Sequence, residues 1–374
     1  MKCIFTLVTD VTVTHYSMKP ISILLTLIIL GLTVPAMAQV TISGKIIDSV
    51  SREPLAGASV FAQNTTQGTV TNANGEFSLT LKSTGFELIF SYTGYAVQTL
   101  QVTDNKNQQI VIAMLKEDKT MGEVVIQSSN EVADGWEKYG DFFVSNFIGA
   151  SSIAKKCSII NKDVVHFYYY RRSDKLKVLA TEPIQISNDA LGYDLRYQLD
   201  SFVYYYKNDI SSYRGTCFFS EKQASAPQQL AYKTNRRKAY LGSRMHFMRS
   251  VFDSTLAKDG FTVSILKEED NTQFQQIAKP LTGDYYSTND TLDYVQLYFP
   301  RKISVTYLKA VPEDDYLRKF KLPMNVGVQV SYIEILNPIG IMQSGYYFDQ
   351  KDWINQGYMS WKNLGDQLPY DYVP

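Results

Sequence analysis

The sequence predicts a mainly β protein with some α, in which an N-terminal β-sandwich is followed by an α+β domain rich in antiparallel sheet. Two patterns lead to this fold class. Between Val40 and Leu115, short runs of alternating apolar and polar residues are separated by turn signals, which is typical of an all-β sandwich. After Glu131, apolar residues recur at helical spacing in two places, and strand-like runs occupy most of the remaining chain.

The strands of the sandwich are predicted from apolar side chains that recur at every second residue. The Val40–Ile46 run alternates apolar and polar side chains, and the 76–81 run does so directly after Asn74-Gly75. Asn-Gly predicts a hairpin, because a tight primed turn needs residues that tolerate positive φ. The Ile110–Leu115 run is apolar at nearly every position, so we expect a central strand that is buried on both faces.

Four runs in this stretch resemble the carboxypeptidase-like regulatory domain. The resemblance implies a transthyretin-like, carbohydrate-binding-like Greek-key sandwich that serves as an accessory module of larger proteins. The resemblance to the regulatory domain does not imply a peptidase domain. The runs that carry the resemblance are Ser43–Asp48, Glu53–Val60, Gly68–Leu79 and Phe90–Tyr95.

The zinc site of a metallocarboxypeptidase needs a His-x-x-Glu pair and a distant histidine. His166 is followed at the third position by Tyr169, and His246 is followed by Arg249. No phosphate loop, nucleophile elbow or CxxC pair is present either. We therefore predict no catalytic residue, no metal ligand and no cofactor, and we do not expect an enzyme.

The first 38 residues read as a leader and a signal peptide. Lys19 precedes the apolar run Ile21–Val34, and Ala36-Met37-Ala38 matches a signal-peptidase site. We expect translation to start at Met18. The apolar run is shorter than the roughly 20 residues that span a bilayer, so we expect no transmembrane helix after cleavage. These features predict export to the periplasm, the outer membrane or the cell surface of a Gram-negative bacterium.

The remaining chain is predicted to divide into a sandwich (39–115), a linker (116–130) and an α+β domain of unknown function (131–374). Within the linker, Val124–Ile126 is expected to form an extra edge strand of the sandwich; the alternative is a strand that pairs with a partner protein by β-augmentation. A similar segment precedes the plug and barrel of TonB-dependent transporters. The residues after Glu131 are too few for a plug and a barrel of about 22 strands, so that resemblance ends at the linker.

Two helices are predicted in the larger domain. Trp136, Tyr139, Phe143 and Phe147 share one helical face. A second helix is expected from about Asn235 to Lys258, and Gly260 is expected to end it. Among the strands, Tyr193–Tyr206 is expected to pair with Ser212–Ser220 as a hairpin.

Other blocks of this domain resemble exported Gram-negative proteins that carry the same regulatory domain, for which the resemblance implies an architecture and no activity. These blocks include Leu191–Tyr197, Ala239–Ser250 and Leu368–Tyr372.

Four residues are predicted to form a ligand surface: His246, Arg249, Arg244 and Tyr197. A histidine beside several arginines suits an anionic glycan or a phosphate. The simpler interpretation is a hydrogen-bonded helix histidine beside a solvated basic face. The runs Tyr168–Tyr170 and Tyr204–Tyr206 offer rings for sugar stacking, although alternation sends successive rings to opposite faces.

Cys157 and Cys217 are either a disulfide, which an oxidising compartment permits, or two free thiols.

The equal numbers of acidic and basic residues, 37 each, argue against a nucleic-acid partner. We predict a non-catalytic periplasmic or cell-surface binding or assembly protein whose partner is an envelope protein or a glycan. A small outer-membrane β-barrel with a periplasmic sandwich and an unrecognised hydrolase are the alternatives.

Overall fold

The computed structural model describes residues 39–82, 85–102, 108–117, 130–207, 209–268, 272–289, 294–348 and 350–374. The predicted leader and signal peptide and the predicted Val124–Ile126 strand lie outside these ranges. The described chain is mainly β with few helices, as the sequence predicts. None of its helices is both long enough and apolar enough to cross a membrane.

The first seven strands form two facing sheets, which confirms the predicted sandwich. One sheet has the order β4-β1-β7 and the other β3-β2-β5-β6. Alternation places Ile42, Val60 and Leu88 in the fully buried core between them. The strands are β1 (Val40–Asp48), β2 (Ser59–Ala62), β3 (Gly68–Val70), β4 (Glu76–Leu81), β5 (Glu87–Ser91), β6 (Gln98–Gln101) and β7 (Gln108–Met114).

Two local predictions for the sandwich were wrong. Among the described strands β7 lies at a sheet edge and pairs with β1 alone, and Val111 is 66% exposed. An apolar run can thus belong to an edge strand as well as to a central one. The Asn74-Gly75 turn has positive φ at Gly75 but not at Asn74. The Gly75 amide closes the turn by donating to the Asn72 carbonyl at 2.9 Å, and the Asn72 Oδ1 accepts hydrogen bonds from the Asn74 and Glu76 amides. The strands on either side, β3 and β4, lie in different sheets, so they do not form a hairpin.

A six-stranded antiparallel sheet, called here the central sheet, follows the sandwich. Its order is β8-β11-β12-β10-β9, and β13 pairs along β12. The predicted hairpin is confirmed by the pairing of Tyr193 with Glu221 through to Tyr205 with Ile210. Helix α1 packs on this sheet, with Phe143 and Phe147 buried. The elements are α1 (Gly135–Phe147), β8 (Cys157–Ile159), β9 (Val165–Tyr170), β10 (Lys175–Ala180), β11 (Ile184–Asn188), β12 (Tyr193–Tyr205) and β13 (Ile210–Glu221).

The single helix predicted from Asn235 to Lys258 is wrong, because three helices occupy this stretch. They are α2 (Ala226–Tyr240), α3 (Arg244–Phe252) and α4 (Leu256–Asp259). Gly242 has φ of +70°, a left-handed conformation that ends α2, and the Ser243 hydroxyl then caps α3 by accepting the His246 amide at 3.1 Å. Gly260 ends α4 in the left-handed conformation, as predicted.

The rest of the chain forms two further sheets with orders β15-β14-β18-β19-β21 and β16-β17-β20. Their core includes Val263, Ile303 and Ile333 of the larger sheet, which belong to one buried cluster with residues of the smaller sheet and of helix α3. The elements are β14 (Phe261–Leu266), β15 (Phe274–Gln276), β16 (Tyr286–Asn289), β17 (Tyr294–Leu297), β18 (Ile303–Tyr307), α5 (Asp314–Lys319), β19 (Gln329–Ile335), β20 (Ile339–Met342), β21 (Trp353–Gly357) and α6 (Tyr358–Trp361).

The sandwich is joined to the rest of the chain by backbone hydrogen bonds, so residues 39–374 form one unit. The Asn64 amide donates to the Cys217 carbonyl at 2.7 Å, and the Phe219 amide donates to the Thr65 carbonyl at 3.0 Å. The loop after β2 therefore lies along β13. Near the C-terminus, the Tyr370 amide donates to the Asn64 carbonyl at 2.8 Å.

Candidate functional site

A cavity of about 330 Å³ lies between the outer face of the sandwich sheet β3-β2-β5-β6 and the outer face of the central sheet. We call it the inter-sheet cleft. This volume is within the range of small-molecule sites, about 300–1,000 Å³. The residues that line it include Ser59, Phe61, Arg196, Gln198, Thr216 and Phe218.

One wall of the cleft follows from strand alternation in β12 and β13. Leu195, Tyr197 and Leu199 are buried on one face of β12, so the intervening Arg196 and Gln198 project from the opposite face. The register pairs Arg196 with Phe218 and Gln198 with Thr216. Four side chains thus form a compact block that faces the sandwich.

The apolar part of the cleft is a contact between the two sheets. The ring centroids of Phe61 and Phe218 lie 5.3 Å apart. Gly68 makes this approach possible, because a Cβ at residue 68 would lie 2.7 Å from the Phe218 ring. The two rings meet in the cleft, where their edges and faces can contact an apolar surface of a ligand.

The polar groups of the cleft have no partners within the described parts of the chain. The exposed Arg196 side chain forms neither a hydrogen bond nor an ion pair there, and the side-chain amide of Gln198 forms no hydrogen bond. The Thr216 hydroxyl is buried and also lacks a hydrogen-bond partner among the described residues. A buried hydroxyl without a partner costs about 1–3 kcal/mol. A bound ligand or water that supplies the partner would remove that cost.

Of the four residues predicted as a ligand surface, Arg244 and Tyr197 lie near enough for the Tyr197 phenol to influence the charge of Arg244. Tyr197 is on the buried face of β12, opposite the cleft. Burial alone would lower the pKa of Arg244, but the neighbouring phenols of Tyr347, Tyr370, Tyr213 and Tyr197 raise it above its ordinary value. Arg244 Cζ lies 5.5 Å from the centroid of the Tyr347 ring.

His246 and Arg249 have separate structural contacts. His246 is buried, and its Nδ1 accepts a hydrogen bond from the Gly242 amide at 3.2 Å. Burial is the largest cause that lowers the pKa of His246, to about 4. Arg249 donates from Nε to the Ser344 carbonyl at 2.9 Å and from a terminal nitrogen to the Tyr370 carbonyl at 3.0 Å. These bonds hold two C-terminal segments against α3.

Both cysteines are free thiols in the structure. The disulfide that the sequence left open is therefore not formed. Cys157 lies in β8 and Cys217 in β13, and β11 and β12 separate these strands. Three strand spacings amount to about 14 Å, whereas the Cα atoms of a disulfide lie within about 7 Å.

Another group of titratable side chains surrounds Asp366, which is 5% exposed. The Ser151 hydroxyl donates to Asp366 Oδ2 at 2.5 Å, and burial is the main cause that raises the pKa of Asp366 to about 6. Lys362 Nζ donates to the Leu241 carbonyl at 3.0 Å. Ser151 is 1% exposed, so a substrate cannot reach its hydroxyl. Within the described ranges, no set of three or more His, Cys, Asp or Glu side chains is arranged to hold a metal ion.

Arg196, Gln198, Thr216 and Phe218 were not predicted as site residues. The alternation of β12 identifies Arg196 and Gln198 as members of the polar face. It does not reveal that the sandwich covers that face, because this depends on a contact between residues far apart in the chain.

The family comparison identifies the first part of the chain. Residues 42–126 match the model of the CarboxypepD_reg-like domain. The N-terminal sandwich is therefore a domain of this class, as the four runs in the sequence indicate. This family model describes a regulatory, non-catalytic type of domain. It covers less than half of the chain.

One curated relative matches the same region. The TonB-dependent receptor SusC of Bacteroides thetaiotaomicron is 35% identical over 103 residues, which is 27% of this chain and 10% of the receptor. The chain thus matches about a tenth of the length of that relative.

Similarity to solved structures is weak. A Bacteroides fragilis protein described as membrane-associated and of unknown function is 16% identical, with 84% of this chain and 94% of that chain covered and a TM-score of 0.18. A Bacteroides uniformis protein described as carbohydrate-binding is 8% identical, with 42% and 57% covered and a TM-score of 0.18. Scores this low carry no argument about fold or function.

Proposed function

We propose that this protein is a non-catalytic binding protein of the Gram-negative cell envelope and that it binds a glycan in the inter-sheet cleft. The observation that carries the proposal is the combination of unpartnered polar groups with two phenyl rings in one cavity. We retain the predicted organisation in this proposal: an exported chain with a sandwich at 39–115, a linker at 116–130 and an α+β domain at 131–374.

The chemistry of the cleft suits a carbohydrate. A sugar presents an apolar C–H face and a rim of hydroxyl groups. The Phe61 and Phe218 rings offer a surface for the C–H face, and Gln198, Thr216 and Ser59 offer hydrogen bonds to hydroxyls. Arg196 adds a planar donor that can pair with a carboxylate in two parallel hydrogen bonds. We therefore favour an acidic glycan that contains uronic acid units.

The polar side chains of the cleft support binding in preference to catalysis. They are hydroxyls, an amide and a guanidinium, and general acid–base chemistry relies chiefly on histidine and carboxylates. The regulatory type of the N-terminal domain supports the same proposal. The match to a TonB-dependent receptor supports an envelope location, as does the predicted signal peptide.

Calorimetric titration of the purified protein with oligogalacturonate and with neutral maltoheptaose tests the proposal. We expect the acidic oligosaccharide to bind more tightly, and we expect Arg196→Gln to weaken it about tenfold, since a hydrogen bond to a charged group contributes about 1.5–3 kcal/mol. Arg214→Gln is the matched control. Arg214 is an exposed residue of β13, on the same face of the hairpin as Thr216 and Phe218. Its substitution removes the same positive charge, but Arg214 does not line the cleft.

The proposal would be contradicted if neither oligosaccharide binds, if both arginine variants weaken binding equally, or if binding is unchanged in Arg196→Gln. A preference for maltoheptaose would retain the cleft as a glycan site and exclude the acidic class.

A further inference from the structure

A second group of unpartnered polar side chains lies on the opposite face of the β12–β13 hairpin from the cleft. Arg244, the first residue of α3, has its Cζ 5.5 Å from the centroid of the Tyr347 ring, and it lies near enough to the phenols of four tyrosines for each of them to influence its charge. We call these the tyrosine cage: Tyr197, Tyr213, Tyr347 and Tyr370.

The cage is assembled from separate parts of the chain. Tyr197 and Tyr213 project from β12 and β13, and their ring centroids lie 6.4 Å apart. Gly215 leaves room for the Tyr197 ring, because a Cβ at residue 215 would lie 2.6 Å from it. Tyr347 follows β20, and Tyr370 lies in the C-terminal segment. Residues from four places therefore converge on one guanidinium.

The guanidinium lacks the partners that a partly enclosed cation normally has. Within the described residues Arg244 forms no ion pair and no hydrogen bond, although it lies against the Tyr347 ring. Buried charges are normally paired, and an arginine carries five N–H donors. The four cage hydroxyls also form no hydrogen bond with any described residue. Much donor capacity is thus concentrated around one positive charge.

The site remains accessible. Tyr197, Tyr347 and Tyr370 are buried, whereas Arg244 and Tyr213 are only half-buried. Part of each of these two side chains therefore contacts solvent, next to the three buried rings.

We propose that Arg244 and the tyrosine cage bind a small oxyanion, either a carboxylate or a phosphate group. A guanidinium binds both groups through two parallel hydrogen bonds, and phenol hydroxyls donate to the remaining oxygen atoms. This site is independent of the cleft, because β12 and β13 separate the two. It accounts for two of the residues that the sequence singled out and leaves His246 and Arg249 as structural residues.

Calorimetric titration with sodium phosphate and with sodium acetate, in a chloride buffer of constant ionic strength, tests the proposal. We expect at least one anion to bind the wild-type protein and Arg244→Gln to weaken that binding about tenfold or more. Arg237→Gln is the matched control, since Arg237 is an exposed arginine on α2. We expect Arg237→Gln to bind the anion as the wild type does.

A double variant keeps the test decisive if Arg244→Gln does not fold. Tyr213→Phe with Tyr347→Phe removes two hydroxyls and retains both rings, and we expect several-fold weaker binding. Binding of phosphate alone or of acetate alone identifies the class of oxyanion. The proposal is overturned if neither anion binds the wild type, or if binding is the same in the wild type and in the cage variants.

Discussion

His246 shows how its surroundings determine the protonation of a single residue. Its ring lies 4.7 Å from the Tyr240 ring and 4.9 Å from the Phe261 ring, centroid to centroid. Burial opposes protonation and lowers the pKa to about 4, while an unfolded chain protonates its histidines near pH 6.5. Between these values the unfolded state binds more protons, so the free energy of unfolding falls as the pH is lowered.

We expect His246→Gln to remove most of this pH dependence. Glutamine does not titrate, so the variant should show a smaller loss of stability than the wild type between pH 7 and pH 4.5. The difference amounts to about 3 kcal/mol at most, from about 1.4 kcal/mol per unit of pKa shift. Urea unfolding at both pH values measures it. Equal losses in the two proteins would show that His246 is not held neutral by the fold.

Thr216 gives a second prediction for a single residue. Its buried hydroxyl has no hydrogen-bond partner among the described residues, and valine has nearly the same shape without the hydroxyl. We expect Thr216→Val to raise the free energy of unfolding of the ligand-free protein by about 1 kcal/mol. The same variant should weaken binding in the cleft. Thermal and chemical unfolding without ligand measure the effect on stability, and titration with the oligosaccharide measures the effect on binding. A destabilised variant would mean that the Thr216 hydroxyl already has a hydrogen-bond partner in the ligand-free protein.

The β12–β13 hairpin is the element that separates the two proposed sites, and it depends on a glycine. A Cβ at residue 215 would lie 2.1 Å from the Gln198 carbonyl oxygen, a distance that the backbone cannot accommodate without a shift. We expect Gly215→Ala to lower the free energy of unfolding by about 2–3 kcal/mol and to weaken binding at both sites. Gly283→Ala is the control, because a Cβ there has no atom within 4 Å.

The helices after the central sheet show what periodicity leaves undecided. The apolar spacing from Leu241 to Leu256 begins in the turn between α2 and α3 and continues through the break between α3 and α4, so the pattern alone predicts one helix. The break between α2 and α3 depends on Gly242 and on the cap that Ser243 provides to α3. These residues carry the appropriate local signals, but both also occur inside helices. The break directs Arg244 toward the tyrosine cage.

At the scale of the whole molecule, the C-terminal segment fastens the sandwich to the larger part of the chain. Asp371 accepts hydrogen bonds from the Thr66 amide at 2.9 Å and from the Thr66 hydroxyl. These contacts join residues that are 305 positions apart. They tie the C-terminal segment to the same loop whose Asn64 and Thr65 form backbone hydrogen bonds with β13.

We expect Asp371→Ala to loosen this junction. The loss of two hydrogen bonds to a carboxylate should lower the free energy of unfolding by about 2–3 kcal/mol and should weaken binding in the cleft. Limited proteolysis should cleave the variant faster between the two parts. Asp284→Ala is the control, since Asp284 is exposed. Unchanged stability and unchanged ligand binding in Asp371→Ala would show that the junction does not depend on these bonds.

The sequence by itself determined the class of the first domain, the mainly β character of the chain, helix α1 and the β12–β13 hairpin. These features depend on local periodicity and on turn residues, which adjacent positions encode directly. It also singled out Arg244 and Tyr197. The domain boundaries, the export signal and the absence of catalysis remain predictions.

Only the tertiary structure decided which polar residues meet. Arg196 and Arg244 are both arginines in regular elements, yet one lies beneath the sandwich and the other among four tyrosines from distant segments. Alternation assigns a side chain to a face of a sheet, but the neighbour that covers the face is set by long-range packing. The free thiols of Cys157 and Cys217 follow from the same cause, because strand order, and not spacing along the chain, fixes the distance between them.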